Sequence, residues 1–95
     1  MATLIRENGK EENVVPRNKK RGFDLGELYS LLHCSMVQMV LLADKRSMWM
    51  DEEAKLHSGL QWVNAKATTL LMEAGGMPGD EVIGSVLITE RGEVK

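Results

Sequence analysis

The densest cluster of positive charge in the chain is the segment RNKKR, residues 17–21, called the basic connector below. Four of its five residues are cations: Arg17, Lys19, Lys20 and Arg21. Clustered cations raise the local concentration of anions even on a protein whose net charge is −2. The basic connector is therefore either a solvated link between elements or a contact for a phosphate group, and the sequence leaves both interpretations open.

A glycine-rich segment, LMEAGGMPGDEVIGSVLI at residues 71–88, invites comparison with phosphate-binding loops. A P-loop requires G-x-x-x-x-G-K-[ST] between a strand and a helix, so that free N–H groups face the phosphate. GGMPGDE lacks the lysine and follows a helix-like run, whose C-terminal partial negative charge would point at it. The dinucleotide fingerprint fails for the same reason. The segment predicts a helix stop and a turn, with glycines that could still admit a close ligand or partner chain.

No other group of residues has the spacing of a catalytic or metal site. The two histidines, His33 and His57, lie far apart, and the single cysteine, Cys34, lies at the end of an apolar helix-like run. The carboxylates of DEE, residues 51–53, are typical of a solvated turn. We therefore predict that the protein is not an enzyme and needs no metal and no cofactor.

Two tryptophans, Trp49 and Trp62, are candidates either for the core or for a site. An exposed tryptophan, or Tyr29, would suit stacking on a base or anchoring a protein partner.

Length and composition favour one domain spanning residues 1–95. A net charge of −2 argues against specific nucleic-acid binding. The lone cysteine makes no intrachain disulfide, and neither a signal-peptide pattern nor a membrane-length apolar run occurs. We expect a soluble, cytoplasmic protein.

The elements that must position these residues begin with a hairpin. TLIR and ENVVP flank Asn8-Gly9, which predicts a two-residue turn with positive φ at both residues, and Pro16 ends the pairing. The polarity of this hairpin predicts that it lies at a sheet edge. A helix follows near residues 24–34, with Asp24 as N-cap and Glu27 at capping-box spacing.

The second half of the chain repeats this alternation. SMVQMVLL and MWMDEEAK predict a second hairpin, and a helix is expected near residues 63–74, capped by Asn64 and stopped by Gly75. The apolar run at 82–89 predicts a central strand buried on both faces. The order β-β-α-β-β-α-β predicts an α+β domain in which two helices pack on one mixed or mostly antiparallel sheet.

These segments together resemble an uncharacterised family of small α+β proteins encoded by phages and mobile elements. VVPRNKKRGFDLGELYSLL, DEEAKLHSGLQWVNAKATTLL and GDEVIGSVLIT carry the resemblance over roughly residues 10–90, although the polar segment LQWVN departs from the family pattern. The matching positions are Pro16, Phe23, Leu25, Leu28, Asp51, Glu52, Asn64, Ala67, Thr68, Gly84, Val86 and Leu87. The resemblance implies a phage setting, and by association a role against bacterial defence in the host cytoplasm, but it implies no chemistry.

Two functions follow as hypotheses. The first is sequestration of a small anionic, nucleotide-like signal molecule, because helix N-termini and clustered cations both favour anions. The site residues expected for it are Arg17, Lys19, Lys20, Arg21, Asn64, Thr68 and Trp62. The alternative is a protein-interaction module that directly inhibits a host or defence protein. Seven methionines and two tryptophans in 95 residues also predict self-association, as a dimer or a multiple of one.

Overall fold

A computed structural model of the chain describes residues 2–17, 20–52, 63–76, 81–90, 92 and 94. They form five strands and two helices: β1 (Ala2–Ile5), β2 (Glu11–Val14), α1 (Leu25–Leu32), β3 (Val37–Leu41), β4 (Ser47–Asp51), α2 (Ala65–Glu73) and β5 (Val86–Thr89). Neither helix in these ranges is long and apolar enough to cross a membrane.

The five strands form one sheet in the order β2-β1-β5-β4-β3, and every neighbouring pair is antiparallel. The predicted α+β class is therefore confirmed. The first hairpin lies at an edge, as its polarity indicated, and all of β5 is buried between two other strands. The regular strand begins later than the predicted residue 82. The backbone N–H and carbonyl of Val82 bond to Thr68 and Asn64 instead of a strand, and Ile83 forms only an isolated bridge with Val63.

The two helices cover opposite faces of the sheet. On the α1 face, Phe23 and the α1 residues Leu28 and Leu32 pack with Leu4 and Leu87. On the α2 face, a separate cluster joins the α2 residue Ala67 to side chains from the sheet and its approach: Ile5, Leu42, Met48, Met50, Val82, Val86 and Ile88. Successive side chains of a strand point to opposite faces, so the continuous apolar run of β5 supplies both clusters.

The first hairpin turn differs from its prediction. The Gly9 N–H donates to the Arg6 carbonyl at 2.9 Å, and the Arg6 N–H donates to the Lys10 carbonyl at 2.8 Å. Of the Asn8-Gly9 pair only Gly9 has a positive φ, at 91°. This is the longer loop in which a left-handed residue follows the turn and forms a bulge, and the two-residue prediction is wrong. The Asn8 side chain instead accepts a hydrogen bond from the Lys10 N–H at 3.0 Å.

The second hairpin turn has the same hydrogen bonds. The Lys45 N–H donates to the Leu42 carbonyl at 2.9 Å, and the Leu42 N–H donates to the Arg46 carbonyl at 2.8 Å. Here a lysine occupies the left-handed position, with φ 73°. The Asp44 side chain accepts from the Arg46 N–H at 3.1 Å, as Asn8 does in the first turn. This loop ends at Arg46, the residue immediately before β4.

The helix caps follow the local signals. Asp24 and Glu27 form the predicted capping box, and α1 ends at His33 in a left-handed conformation. At the end of α2, Gly75 has φ 101° and the Gly76 N–H donates to the Leu71 carbonyl at 2.9 Å, which is a Schellman motif. The predicted helix stop is confirmed, whereas the turn expected after it falls on residues 77–80, outside the described ranges.

Candidate functional site

The basic connector lies beside the N-terminus of α1. Arg17, Lys20 and Arg21 are exposed, and Lys19 lies outside the described residues. The Arg17 N–H donates to Oε2 of Glu27 at 3.0 Å, and the Arg17 Nε lies 3.9 Å from the same oxygen. The Glu27 side chain is only 7% exposed. A ligand anion at this point would meet the carboxylate that already occupies it.

Asn64 is fully buried and holds three segments together. Its Oδ1 accepts from the Ala67 N–H at 3.0 Å, which is the predicted N-cap. Its Nδ2 donates to the Ile5 carbonyl at 3.0 Å and to the Gly84 carbonyl at 2.9 Å. Both amide protons are used, so the side chain has no donor left for a ligand, and its role is structural.

Thr68 supports the same junction. Its hydroxyl accepts from the Val82 N–H at 2.9 Å, while the Asn64 N–H donates to the Val82 carbonyl at 2.7 Å. Thr68 therefore fixes the approach to β5. Trp62 lies outside the described residues.

The basic connector and the start of α2 do not converge. The connector follows β2, whose last residue Val14 pairs with Ala2, whereas Asn64 binds Ile5 at the other end of β1. The connector contacts α1 on one face, and α2 covers the opposite face. The predicted combination of connector cations with Asn64 and Thr68 is therefore corrected: the two groups lie at opposite ends of β1 and on different faces.

Trp49 belongs to the core on the α1 face. It is half-buried against the α1 cluster, and its indole N–H donates to the Thr89 hydroxyl at 2.9 Å. A stacking role is disfavoured because both its ring and its polar group already have partners.

Cys34 lacks the surroundings of a nucleophile. Partial burial raises the pKa of its thiol, the charge of Asp51 raises it further, and a backbone hydrogen bond involving Met36 offsets part of this. A raised pKa means less thiolate, the reactive form, at neutral pH. Within the described residues no group of three or more His, Cys, Asp or Glu side chains could hold a metal ion.

We expect iodoacetamide to alkylate Cys34 more slowly in the folded protein than in the same chain in urea. At pH 8 the difference should be about threefold or more, because the fold lowers both the thiolate fraction and the access to sulfur. Mass spectrometry of timed samples measures it. A faster reaction in the native protein would show an activated cysteine and contradict this environment.

A different cavity lies beside α2, over the β1 half of its face, and is called the α2-face pocket. Its volume is about 350 Å³. Ile5, Ile88 and Leu70 are its apolar residues, and the remainder of its lining is polar or charged: Thr3, Glu11, Arg46, Lys66 and Thr69. Although five of these eight residues are polar or charged, more of the surface that lines the cavity is apolar than polar. A concavity with an apolar surface and a few polar groups is the usual form of a small-molecule site.

The charged groups of the α2-face pocket form exposed ion pairs. Lys66 Nζ pairs with Glu11 Oε2, and the two side chains are 52% and 47% exposed. Arg46 Nε lies 2.7 Å from Asp44 Oδ2. Hydrogen bonds from the backbone and then the side chain of Arg46 hold the pKa of the Asp44 carboxyl below its ordinary value. Both cations are thus oriented by carboxylates near the pocket rim.

A larger cavity, of about 480 Å³, lies at the first hairpin turn and is lined by Arg6, Glu7, Asn8, Val63 and Ser85. Its cation, Arg6, is held by Glu12 through two hydrogen bonds of 3.0 and 3.2 Å. Turn residues form most of its lining, and Val63 adjoins a segment outside the described ranges. The α2-face pocket is therefore the better-built candidate despite its smaller volume.

The sequence contains one indication of this pocket, a polar and apolar group on one face of α2, but spacing alone does not show that Arg46 joins it. Lys66, Thr69 and Leu70 lie three and four residues apart, so they share one face of α2. Arg46 reaches them from a hairpin turn twenty residues earlier in the chain. Their meeting depends on the sheet order, which brings β1 and β5 under α2.

The chain matches no protein-family model, no curated protein and no solved structure in the comparisons made. The resemblance to phage-encoded proteins remains a prediction.

Proposed function

We propose that the protein binds a small anion with an apolar, nucleotide-like body in the α2-face pocket. The observation that carries this proposal is the joining of an apolar floor to two oriented cations, Arg46 and Lys66. The apolar body would lie against Ile5, Ile88 and Leu70. The Thr69 hydroxyl already donates to the Ala65 carbonyl at 3.1 Å, so it would accept a hydrogen bond from the ligand. The pocket volume is near the lower end of the usual 300–1,000 Å³ range, so the ligand is small.

The existing ion pairs do not prevent anion binding. Lys66 and Glu11 are about half exposed, as are Arg46 and Asp44. Solvent screens pairs as exposed as these, so a ligand phosphate that replaces Glu11 next to Lys66 loses little. The apolar floor then supplies the rest of the binding free energy. Taken together with the resemblance to phage-encoded proteins, binding of a nucleotide-like anion would serve to sequester a nucleotide signal that bacteria use in defence.

Calorimetric titration with a panel of cyclic and linear nucleotides tests this function. At least one should bind, and Arg46→Ala and Lys66→Ala should each weaken binding about tenfold, as loss of a charge-assisted hydrogen bond implies. Binding should also weaken between 0.1 M and 1 M salt, because screening reduces exposed phosphate contacts. Thermal unfolding of each variant checks that the fold is retained.

The matched controls are Arg17→Ala and Lys20→Ala in the basic connector, which should leave affinity unchanged. If these two variants lose binding and the pocket variants keep it, the anion site is at the connector, as the sequence predicted. Absence of binding to every nucleotide in the panel would reject the small-molecule function.

A second candidate function is direct inhibition of a host or defence protein. The observation in its favour is the exposure of apolar side chains along the β3 edge, with Met39 at 49% and Leu41 at 61%. Such an activity would not depend on nucleotides, and Arg46→Ala and Lys66→Ala would leave it unchanged. Binding of such a partner would require that no other chain covers the β3 edge.

A further inference from the structure

The outer side of β3 carries backbone groups that no strand of the sheet pairs. The Leu42 N–H donates to Arg46, and the Met36 carbonyl accepts from the Glu52 N–H, so the even-numbered residues of this segment face β4. Alternation along a strand then directs the N–H and C=O groups of Val37, Met39 and Leu41 outward. The sheet order places β3 at the edge, and no neighbouring strand covers these groups in the described part of the chain.

The two edges of the sheet differ in charge. The β2 edge presents Glu11, Glu12 and Asn13, all exposed, and charged side chains on an edge strand oppose its pairing with another chain. The β3 edge, VQMVL, contains no charged residue. An uncharged, exposed edge strand is a template for pairing with another chain.

We propose that a second copy of this chain occupies the β3 edge by antiparallel strand addition, with Met39 opposite Met39 on the two-fold axis. An antiparallel pair of residues exchanges both N–H···O bonds only where the backbone groups of both point toward each other. With Met39 at the centre, Val37 of each copy faces Leu41 of the other, and every outward group is used. If the register is shifted by two residues, the outward N–H and C=O groups of one residue in each copy have no partner.

The side chains favour the same arrangement. Val37, Met39 and Leu41 share the α1 face with their cross-strand partners Asp51, Trp49 and Ser47. Pairing two copies joins these apolar side chains into one continuous row and reduces the exposure of Met39 and Leu41. This row of side chains is separate from the α2-face pocket, because it lies on the α1 face of the sheet and the pocket lies on the α2 face.

The dimer should be weak. A five-residue edge is about 17 Å long at 3.3–3.4 Å per residue, and such a contact buries less than the 1,200–2,000 Å² of a stable interface. We expect the mean mass in sedimentation equilibrium to rise from monomer toward dimer between about 10 µM and 1 mM, the affinity range of a small interface.

Charge substitutions at the centre of the pairing test both the edge and the register. Met39→Lys and Met39→Glu each place like charges opposite each other, and each should weaken self-association about tenfold or more. An equimolar mixture of the two variants should associate again, because opposite charges then meet. Asn13→Lys, at an exposed position of the β2 edge, is the matched control and should not change the mass.

Three outcomes would contradict the proposed dimer. A monomeric wild-type protein throughout the concentration range would overturn it, and so would a Met39→Lys variant that associates like the wild type. Association of Met39→Lys with Leu41→Glu, but not with Met39→Glu, would show a pairing shifted by two residues and overturn the stated register. Circular dichroism of each variant confirms that a loss of dimer is not a loss of fold.

Discussion

Val86→Asp is expected to unfold the protein at neutral pH. Val86 is fully buried in the central strand, where it packs in the cluster between the sheet and α2. An unpaired carboxylate there costs several kcal/mol, and a domain of this size has a free energy of unfolding of only about 5–15 kcal/mol. Far-ultraviolet circular dichroism and urea unfolding measure the effect.

The destabilisation caused by Val86→Asp should be smaller at acidic pH. Burial raises the pKa of an introduced carboxyl group above its unfolded value near 4, so the folded state binds the proton more tightly. The stability of Val86→Asp relative to wild type therefore improves as the pH falls through the folded-state pKa of the introduced carboxyl group toward its unfolded-state pKa. Val15→Asp makes the same change at a residue that is 59% exposed and should remain within about 0.5 kcal/mol of wild type. A folded Val86→Asp protein with wild-type stability at pH 7 would show that β5 is not central.

Asn64→Ala is expected to lower the free energy of unfolding by about 3–5 kcal/mol. The substitution removes the hydrogen bonds of Asn64 to the Ile5 and Gly84 carbonyls and to the Ala67 N–H at a fully buried position. Each unsatisfied buried group costs about 1–3 kcal/mol, and the three costs are not fully additive. Urea unfolding with an unchanged m-value would measure it.

Asn64→Asp distinguishes this structural role from simple helix capping. Aspartate caps a helix as well as asparagine does, so a pure N-cap would tolerate the change. Here the carboxylate would lose both donated hydrogen bonds and face two carbonyl oxygens, so Asn64→Asp should be at least as destabilising as Asn64→Ala. Stability of Asn64→Asp within about 0.5 kcal/mol of wild type would limit Asn64 to capping.

The local features of the fold were predictable because their hydrogen bonds join residues close in sequence. The capping box of Asp24 and Glu27 spans three residues, and the end of α2 at Gly75 depends on one left-handed position. The apolar run that contains β5 also indicated a strand buried on both faces. The turn type at Asn8-Gly9 was not predictable, because this dipeptide is compatible with both the two-residue turn and the longer loop with a bulge. The pairing of Ile5 with Glu11 selects the longer loop.

The amino-acid sequence by itself determined the α+β class and the helix caps, since these follow from residue type and short spacing. The cations that it indicated, those of the basic connector, are not the ones that line the α2-face pocket. Only the tertiary structure decided which groups meet. The sheet register separated Arg17 from Asn64 by the length of β1, and it brought Arg46 to Lys66. It also buried Asn64 among three segments that are far apart in the chain. Such contacts depend on long-range strand pairing, which no local spacing encodes, and so the candidate pocket could be recognised only when the strand order was known.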